Sequence, residues 1–243
     1  MQNILGVISD KNLTNGQINN ATHSTRRKIL FENRDDALQK LLSNMPLSFF
    51  ERQDCIVVGV SFDGIYFASR LAQTLKAPLA FLFSSPILAP NNPECEIAMA
   101  TETHDVVINE PLVRSFGISL DYIYGEVQRQ YEDKMLPLIY QYRKGNPLIS
   151  LKGKRVLIVN EGIDSGLIAL ASIKSVITLQ AKTVHFACPV APYDVAEIME
   201  EAADGIFCLY KSKDFVDIGY YYRDYPPIEA ETIEEVFSKM QGE

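Results

Sequence analysis

The sequence has no apolar run that approaches the roughly 20 residues a bilayer-spanning helix needs. Its opening, MQNILGVISDKN, has no basic start and only a short apolar stretch, which reads against a secretory signal and makes cytoplasmic residence the expectation. Cations are outnumbered, 23 Lys and Arg against 31 Asp and Glu, for a net charge of -8. A phosphate backbone is held by clustered Lys and Arg, so nucleic-acid binding is excluded as the main business of the chain. The 4 cysteines include no CxxC pair, which argues against a zinc knuckle or a disulfide scaffold. Cys55, Cys188 and Cys208 fall in or beside expected strands, as reduced buried thiols do. Internal repeats and low-complexity tracts are also missing.

What is present fits one large α/β domain in 243 residues. Residues 1–27 are rich in Asn and Thr and read as a polar N-terminal arm, leaving 28–243 as the domain. Residues 31–45 place Ala37, Leu38, Leu41 and Leu42 on one helical face, with Asn33 as a possible N-cap. A continuous apolar run at 55–60, a turn at 61–64, a helix at 65–76 and a strand at 79–83 follow. Strand, helix and strand in alternation is the mark of a parallel sheet with crossover helices, whose ligand edge lies at the strand C-termini. Residues 84–145 loosen into an insertion. It holds a turn-rich start, short strand candidates at 97–101 and 105–108, a brief helix at 111–116 and a long amphipathic helix at 119–143. Pro137 cannot donate to the carbonyl of Asp133, so that helix should kink. Strands at 155–159, 183–190 and 206–210 alternate with helices at 165–180 and 195–202, and a closing helix is expected at 233–240.

The stretch RVLIVNEGIDSGLI at 155–168 joins a buried strand to a helix through a tight turn. A helix start presents unpaired backbone N–H groups and the positive end of its dipole, which suits an anion. Asn160 and Glu161, at the strand end, face whatever carries that anion; Asp164 with Ser165 could equally cap the helix, and Glu161 could be a solvated loop acid. GVSFDG at 59–64 also lies between strand and helix. It lacks the Lys of a Walker A loop, the second Gly of a nucleophile elbow and the first GxG of a dinucleotide fingerprint. Ser61 and Asp63 could simply cap the next helix. His185, in an apolar strand, reads as a satisfied core residue, whereas His23 and His104 lie in polar surroundings.

VLIVNEGIDSG resembles the phosphoribosyl-diphosphate (PRPP) signature of the type I phosphoribosyltransferases, an apolar strand followed by an acidic pair and a small turn ending in Ser-Gly. FENRDDALQKLL, VVGVSFDGIYFASRLAQTLKAPL, NPECEIAMATE, YRKGNPLISLKGKRVLIV, ACPVAP and DFVDIGYYYRDY continue the resemblance in order. It implies an α/β fold with a mostly parallel, doubly wound sheet and a small hood, formed by the insertion and by residues 211–243. It implies Mg²⁺-dependent transfer of ribose 5-phosphate from PRPP to a nitrogenous base, in a possible homodimer.

By the same resemblance Asn160, Glu161, Gly162, Asp164, Ser165, Gly166, Leu167 and Ile168 hold the ribose and its 5′-phosphate. Ser61, Phe62, Asp63 and Gly64 form the diphosphate loop, and Phe215, Tyr220 and Tyr221 are candidates to stack on the base. Asp164 and Glu161 carry the catalytic assignment, Asp164 as the proton acceptor; no protein ligand set for the metal is implied, Mg²⁺ arriving mainly with PRPP. Asn160 replaces an acid, Ile168 a hydroxyl residue, and Phe62 and Asp63 an arginine and a glycine. Those departures keep a second function open, a homologue that binds a nucleotide or phosphosugar as a sensor without turnover, and behind it a purely structural or partner-binding protein.

Overall fold

The computed structural model describes residues 28–51 and 53–241; the polar arm at 1–27, with His23, lies outside the described residues. Helix α1 (Arg34–Ser43) starts where Asn33 accepts the backbone N–H of Asp36, and α2 (Leu47–Phe50) is a single turn. Strand β1 (Cys55–Gly59), helix α3 (Ile65–Leu75) and strand β2 (Leu79–Phe81) form the first crossover unit. After β3 (Ser84–Ala89), β4 (Asn92–Thr101), β5 (Val106–Ile108), α4 (Glu110–Ser115), α5 (Leu120–Gln130) and α6 (Leu136–Arg143), the chain returns through β6 (Arg155–Val159) and α7 (Leu167–Thr178). It ends with β7 (Thr183–Pro192), α8 (Tyr193–Ala202), β8 (Gly205–Ser212) and α9 (Ala230–Gln241).

The central sheet has the order β2-β1-β6-β7-β8, and every pair in it is parallel. Side chains alternate across a strand, so a strand buried on both faces reads as an unbroken apolar run. Cys55 and Val57 of β1 with Leu157 and Val159 of β6 pack under α1 and α3, while Ile56, Val58, Val156 and Ile158 pack under α7 and α8. From β1 the chain steps to β2 on one side, and β6 lies on the other. The strand order therefore reverses between β1 and β6, and the crevice beyond their C-terminal ends is the place where open α/β sheets bind ligands.

Two local expectations give way. The turn-rich start of the insertion is a β-hairpin: β3 pairs antiparallel with β4, with register shifts on either side of Leu88 that absorb Ile97 and residues 93–95 of β4. Pro90, Asn91, Asn92 and Pro93 make up the hairpin's tip, and their turn signal masked the strands that flank it. The kink expected at Pro137 is spread instead over a π-helical segment, Tyr131–Met135, in which the Leu136 N–H reaches the Tyr131 carbonyl. Widening the turn accommodates the donor that Pro137 lacks. The resulting antiparallel sheet β3-β4-β5 rests on α7, with Met99 and Val107 against Leu167, Ile168 and Ala171.

Candidate functional site

The crevice is floored by two loops, 61–64 after β1 and 160–166 after β6. They are stitched together at one point. The Ser61 hydroxyl donates to Asn160 Oδ1 at 2.5 Å and accepts the Gly64 N–H at 2.9 Å; Asn160 Oδ1 also accepts the Glu161 N–H at 3.0 Å. A Cβ on Gly64 would collide with Asn160 Oδ1 and fall 3.1 Å from the Asn160 Cα, so only glycine lets the loops approach this closely. The Asn160 and Ile163 N–H groups bond the carbonyls of Ala187 and Val190 on β7, at 3.1 and 2.9 Å, which fixes the second loop to the sheet.

That loop delivers an open helix start. Gly166 adopts φ 77 and precedes α7 with no side-chain cap, whereas α1, α4 and α5 are capped by Asn33, Asn109 and Ser119. A side chain on Gly166 would also meet Val195 Cγ1 at 2.5 Å. Asp164 and Ser165 are exposed beside this start, Gly162 is covered by Ile218, and Leu167 is buried against the hood sheet with Ile168 partly so. Leu167 and Ile168 can thus offer only backbone to a ligand.

Glu161 faces away from open solvent, at 4% exposure. Arg34 Nε donates to its Oε2 at 2.9 Å, the Tyr225 hydroxyl donates to Oε1, and the Tyr222 hydroxyl donates to its backbone carbonyl at 3.2 Å. Arg34 is itself 9% exposed, donates to the Pro226 carbonyl and stacks 4.1 Å from the Tyr225 ring. Burial pushes the Glu161 pKa up, the Tyr225 hydrogen bond and the Arg34 charge pull it back, and Asp63 adds repulsion. The strand-end acid expected to meet the ribose is already bonded on both carboxylate oxygens by α1 and the tail. The signal for Arg34 was in the sequence: Arg34, Ala37, Leu38 and Leu41 share one helical stripe, and a cation on a buried stripe calls for a buried acid.

Phe62 departs furthest from a diphosphate-binding role. Its ring joins an aromatic cluster with Phe81 at 5.4 Å, Tyr142 at 5.6 Å and Phe237 at 6.2 Å, between β2, α6 and α9. Asp63 is exposed. Among the base-stacking candidates Tyr221 is 1% exposed, with its hydroxyl on Ser212 at 2.7 Å and its ring against Tyr210, Phe215 and Tyr220. It is core, while Phe215 and Tyr220 keep part of their surface. His185 is buried among Phe49, Phe50 and Phe207, and its Nδ1 has no partner among the described residues, so it is not the satisfied core residue expected; burial lowers its pKa and keeps it neutral.

The charge around the open helix start is negative. Protein packed about the Asp164 carboxyl raises its pKa first and Asp217 second, against a hydrogen bond from the Ile218 backbone; Glu96 of β4 is raised by burial and then by Asp164. Glu96 and Asp217 reach the site from the hood and the tail, too far along the chain for spacing to have paired them. Among the described residues no three His, Cys, Asp or Glu side chains are placed to hold a metal ion. Asn160 is neutral and Glu161 is spent on Arg34 and Tyr225, so the donor set does not build a resident Mg²⁺ site.

A parallel sheet with an uncapped helix start at its switch point defines the class, an open α/β protein of the kind that places its ligand edge at the strand C-termini. The particular family follows from comparison. The phosphoribosyl transferase domain family matches residues 27–220, most of the chain, and the chain belongs to that family. Two Mycobacterium tuberculosis proteins provisionally named phosphoribosyl transferases, MT0597 and Rv0571c, are 28% identical over 197 residues, 81% of this chain. The match covers 44% of their length, so this chain spans less than half of those relatives. The crystal structure of TT1426 from Thermus thermophilus superposes with a TM-score of 0.70 at 22% identity, covering 86% of this chain and 98% of that one, a likeness of fold.

Proposed function

We propose that the crevice between β1 and β6 binds the ribose 5-phosphate part of PRPP and that the chain transfers it to a nitrogenous base. One observation carries the reading: α7 opens at the switch point with Gly166 in the left-handed region and no side-chain cap, leaving the first-turn N–H groups for an external acceptor. In the reaction the C1′–oxygen bond to diphosphate breaks, the base nitrogen bonds C1′, and the displaced N–H proton passes to a nearby acceptor. Asp164, whose raised pKa suits it to take a proton, is that acceptor in this reading. Glu161 would offset positive charge on the ribose through space. Magnesium would enter as the counter-ion of PRPP and screen the departing diphosphate; no protein step is routed through it.

Ligand binding without turnover is the second reading, and a specific arrangement favours it. The strand-end acid is held by Arg34 and Tyr225, Asn160 by Ser61, and Phe62 fills an aromatic cluster where a diphosphate would need a cation. Binding a 5′-phosphate needs none of these side chains.

Calorimetric titration with PRPP and Mg²⁺, and with nucleoside monophosphates, tests binding; diphosphate release over a panel of purines and pyrimidines tests transfer. Binding with release supports transfer. Binding with no release from any base selects the second reading, and no binding of PRPP or any monophosphate overturns both. Light scattering on the same samples tests the homodimer.

A further inference from the structure

Cys188 of β7 and Cys208 of β8 are register partners on neighbouring parallel strands. Both side chains belong to the face packed under α7 and α8, Cys188 fully buried and Cys208 partly exposed on the sheet's outermost strand. Neighbouring strands run about 4.8 Å apart, inside the roughly 4.4–6.8 Å window of Cα separations that a disulfide spans. Cys55 and Cys95 have no such neighbour among the free cysteines: Cys55 lies on β1 and Cys95 on β4, in different sheets.

We propose that Cys188 and Cys208 form a peroxide-oxidisable dithiol, a modification site unconnected with the phosphate crevice's own chemistry. The two thiols divide the labour by position. Cys208 has solvent access, and a hydrogen bond from Cys188, with help from Lys211, favours its thiolate against the opposing effect of burial; the same contact and complete burial hold Cys188 protonated. The Cys208 thiolate attacks a peroxide oxygen, the O–O bond breaks, and hydroxide leaves and takes up a proton as water, giving a sulfenic acid. Cys188 sulfur then attacks that sulfur, the S–O bond breaks, a second water leaves, and the S–S bond forms. Two thiols lose two electrons and two protons to one hydrogen peroxide, which yields two waters.

The crosslink would bear on the crevice through the backbone. Ala187 and Val190, on either side of Cys188, supply the carbonyls that hold Asn160 and Ile163 of the phosphate loop. A change in the β7–β8 spacing at this point therefore reaches the loop that opens α7. This last step rests on the proposed phosphate site; the dithiol itself does not.

The test treats the full chain with hydrogen peroxide near neutral pH, unfolds it in the presence of an alkylating agent, and maps the peptides. The expected result is the loss of two alkylatable thiols and a peptide linking Cys188 to Cys208, reversed by dithiothreitol. In Cys188→Ala the sulfenic acid of Cys208 should persist and be trapped by a 1,3-diketone; if that variant does not fold, Cys208→Ser, which should keep all three remaining thiols alkylatable after the same treatment, takes its place. Four alkylatable thiols in oxidised wild type, or over-oxidation of Cys208 beside a free Cys188, overturns the proposal. A mapped disulfide with unchanged nucleoside-monophosphate affinity retains the dithiol and removes its coupling to the crevice, and absence of monophosphate binding in the reduced protein counts against the phosphate reading alone.

Discussion

The two loops that floor the crevice start alike, each leaving a buried parallel strand and entering a helix, and they end up doing opposite things. The loop after β1 turns inward: Ser61 bonds within the protein on both its donor and acceptor sides, and Phe62 is absorbed by the ring cluster of β2, α6 and α9. The loop after β6 turns its backbone outward, with Gly166 opening α7 and Asp164 and Ser165 exposed beside it. Side chains fill one half of the site and main chain opens the other. A helix start needs no particular side chain to attract an anion, so this half of the site depends on backbone conformation where the other depends on side chains.

Breaking the anchor behind the open loop should give the largest effect. Arg34→Met leaves the Glu161 carboxylate buried beside an apolar chain, and the expected loss of stability at neutral pH is about 3–5 kcal/mol. Without Arg34 the folded-state pKa of Glu161 rises further above its unfolded value, so the folded protein binds the extra proton. The stability deficit is then smallest below the ordinary glutamate range and grows as pH rises through the raised folded pKa. Urea unfolding measured from below the ordinary glutamate range up to neutral pH reads it directly; a deficit independent of pH would remove the charge argument.

Phe62→Ala sharpens the contrast from the other side. Half-burial and four ring neighbours point to a loss of about 2–3 kcal/mol. If the loop after β1 touches no diphosphate, the affinities for PRPP and for a nucleoside monophosphate should change in parallel. A selective loss of PRPP affinity would return the loop to ligand binding. Gly64→Ala drives a methyl into Asn160 from below, with an expected cost of about 2 kcal/mol and weaker monophosphate binding in calorimetry as Asn160 shifts. Ser61→Ala removes only the stitch, for about 1 kcal/mol in thermal or urea unfolding.

The central sheet was legible because strands buried on both faces leave unbroken apolar runs, and the helices between them leave caps and stripes: Cys55–Gly59, Arg155–Val159 and the Asn33 cap all lie where the pattern puts them. The hairpin of β3 and β4 was hidden because its turn chemistry outweighed its alternation over so short a span. The ligand edge could also be read, since it lies at the strand C-termini of a parallel sheet, but the strand order that places the crevice between β1 and β6 came only with the structure. Which way each side chain points could not be read. Glu161 and Phe62 occupy expected places in the chain, but their partners, Arg34, Tyr225, Tyr142 and Phe237, arrive from α1, the tail, α6 and α9, and spacing along a sequence carries no information about such distant meetings.

The π-helical segment Tyr131–Met135 sets where one of those partners, Tyr142, stands. One residue more than an α-helical turn rotates everything after it by about 100° relative to a regular continuation. The half of the long helix before it, α5, is thereby aimed at the hairpin strands β3 and β4, and the half after it, α6, at α9. Tyr142 and Arg143 lie on that rotated half, the first in the cluster around Phe62 and the second paired with the buried Glu102 at the head of the hood. A change in helical phase earlier in the same helix thus decides that the loop after β1 is closed by aromatic rings, and the composition of the crevice is in part a matter of angular register in a helix that never reaches it.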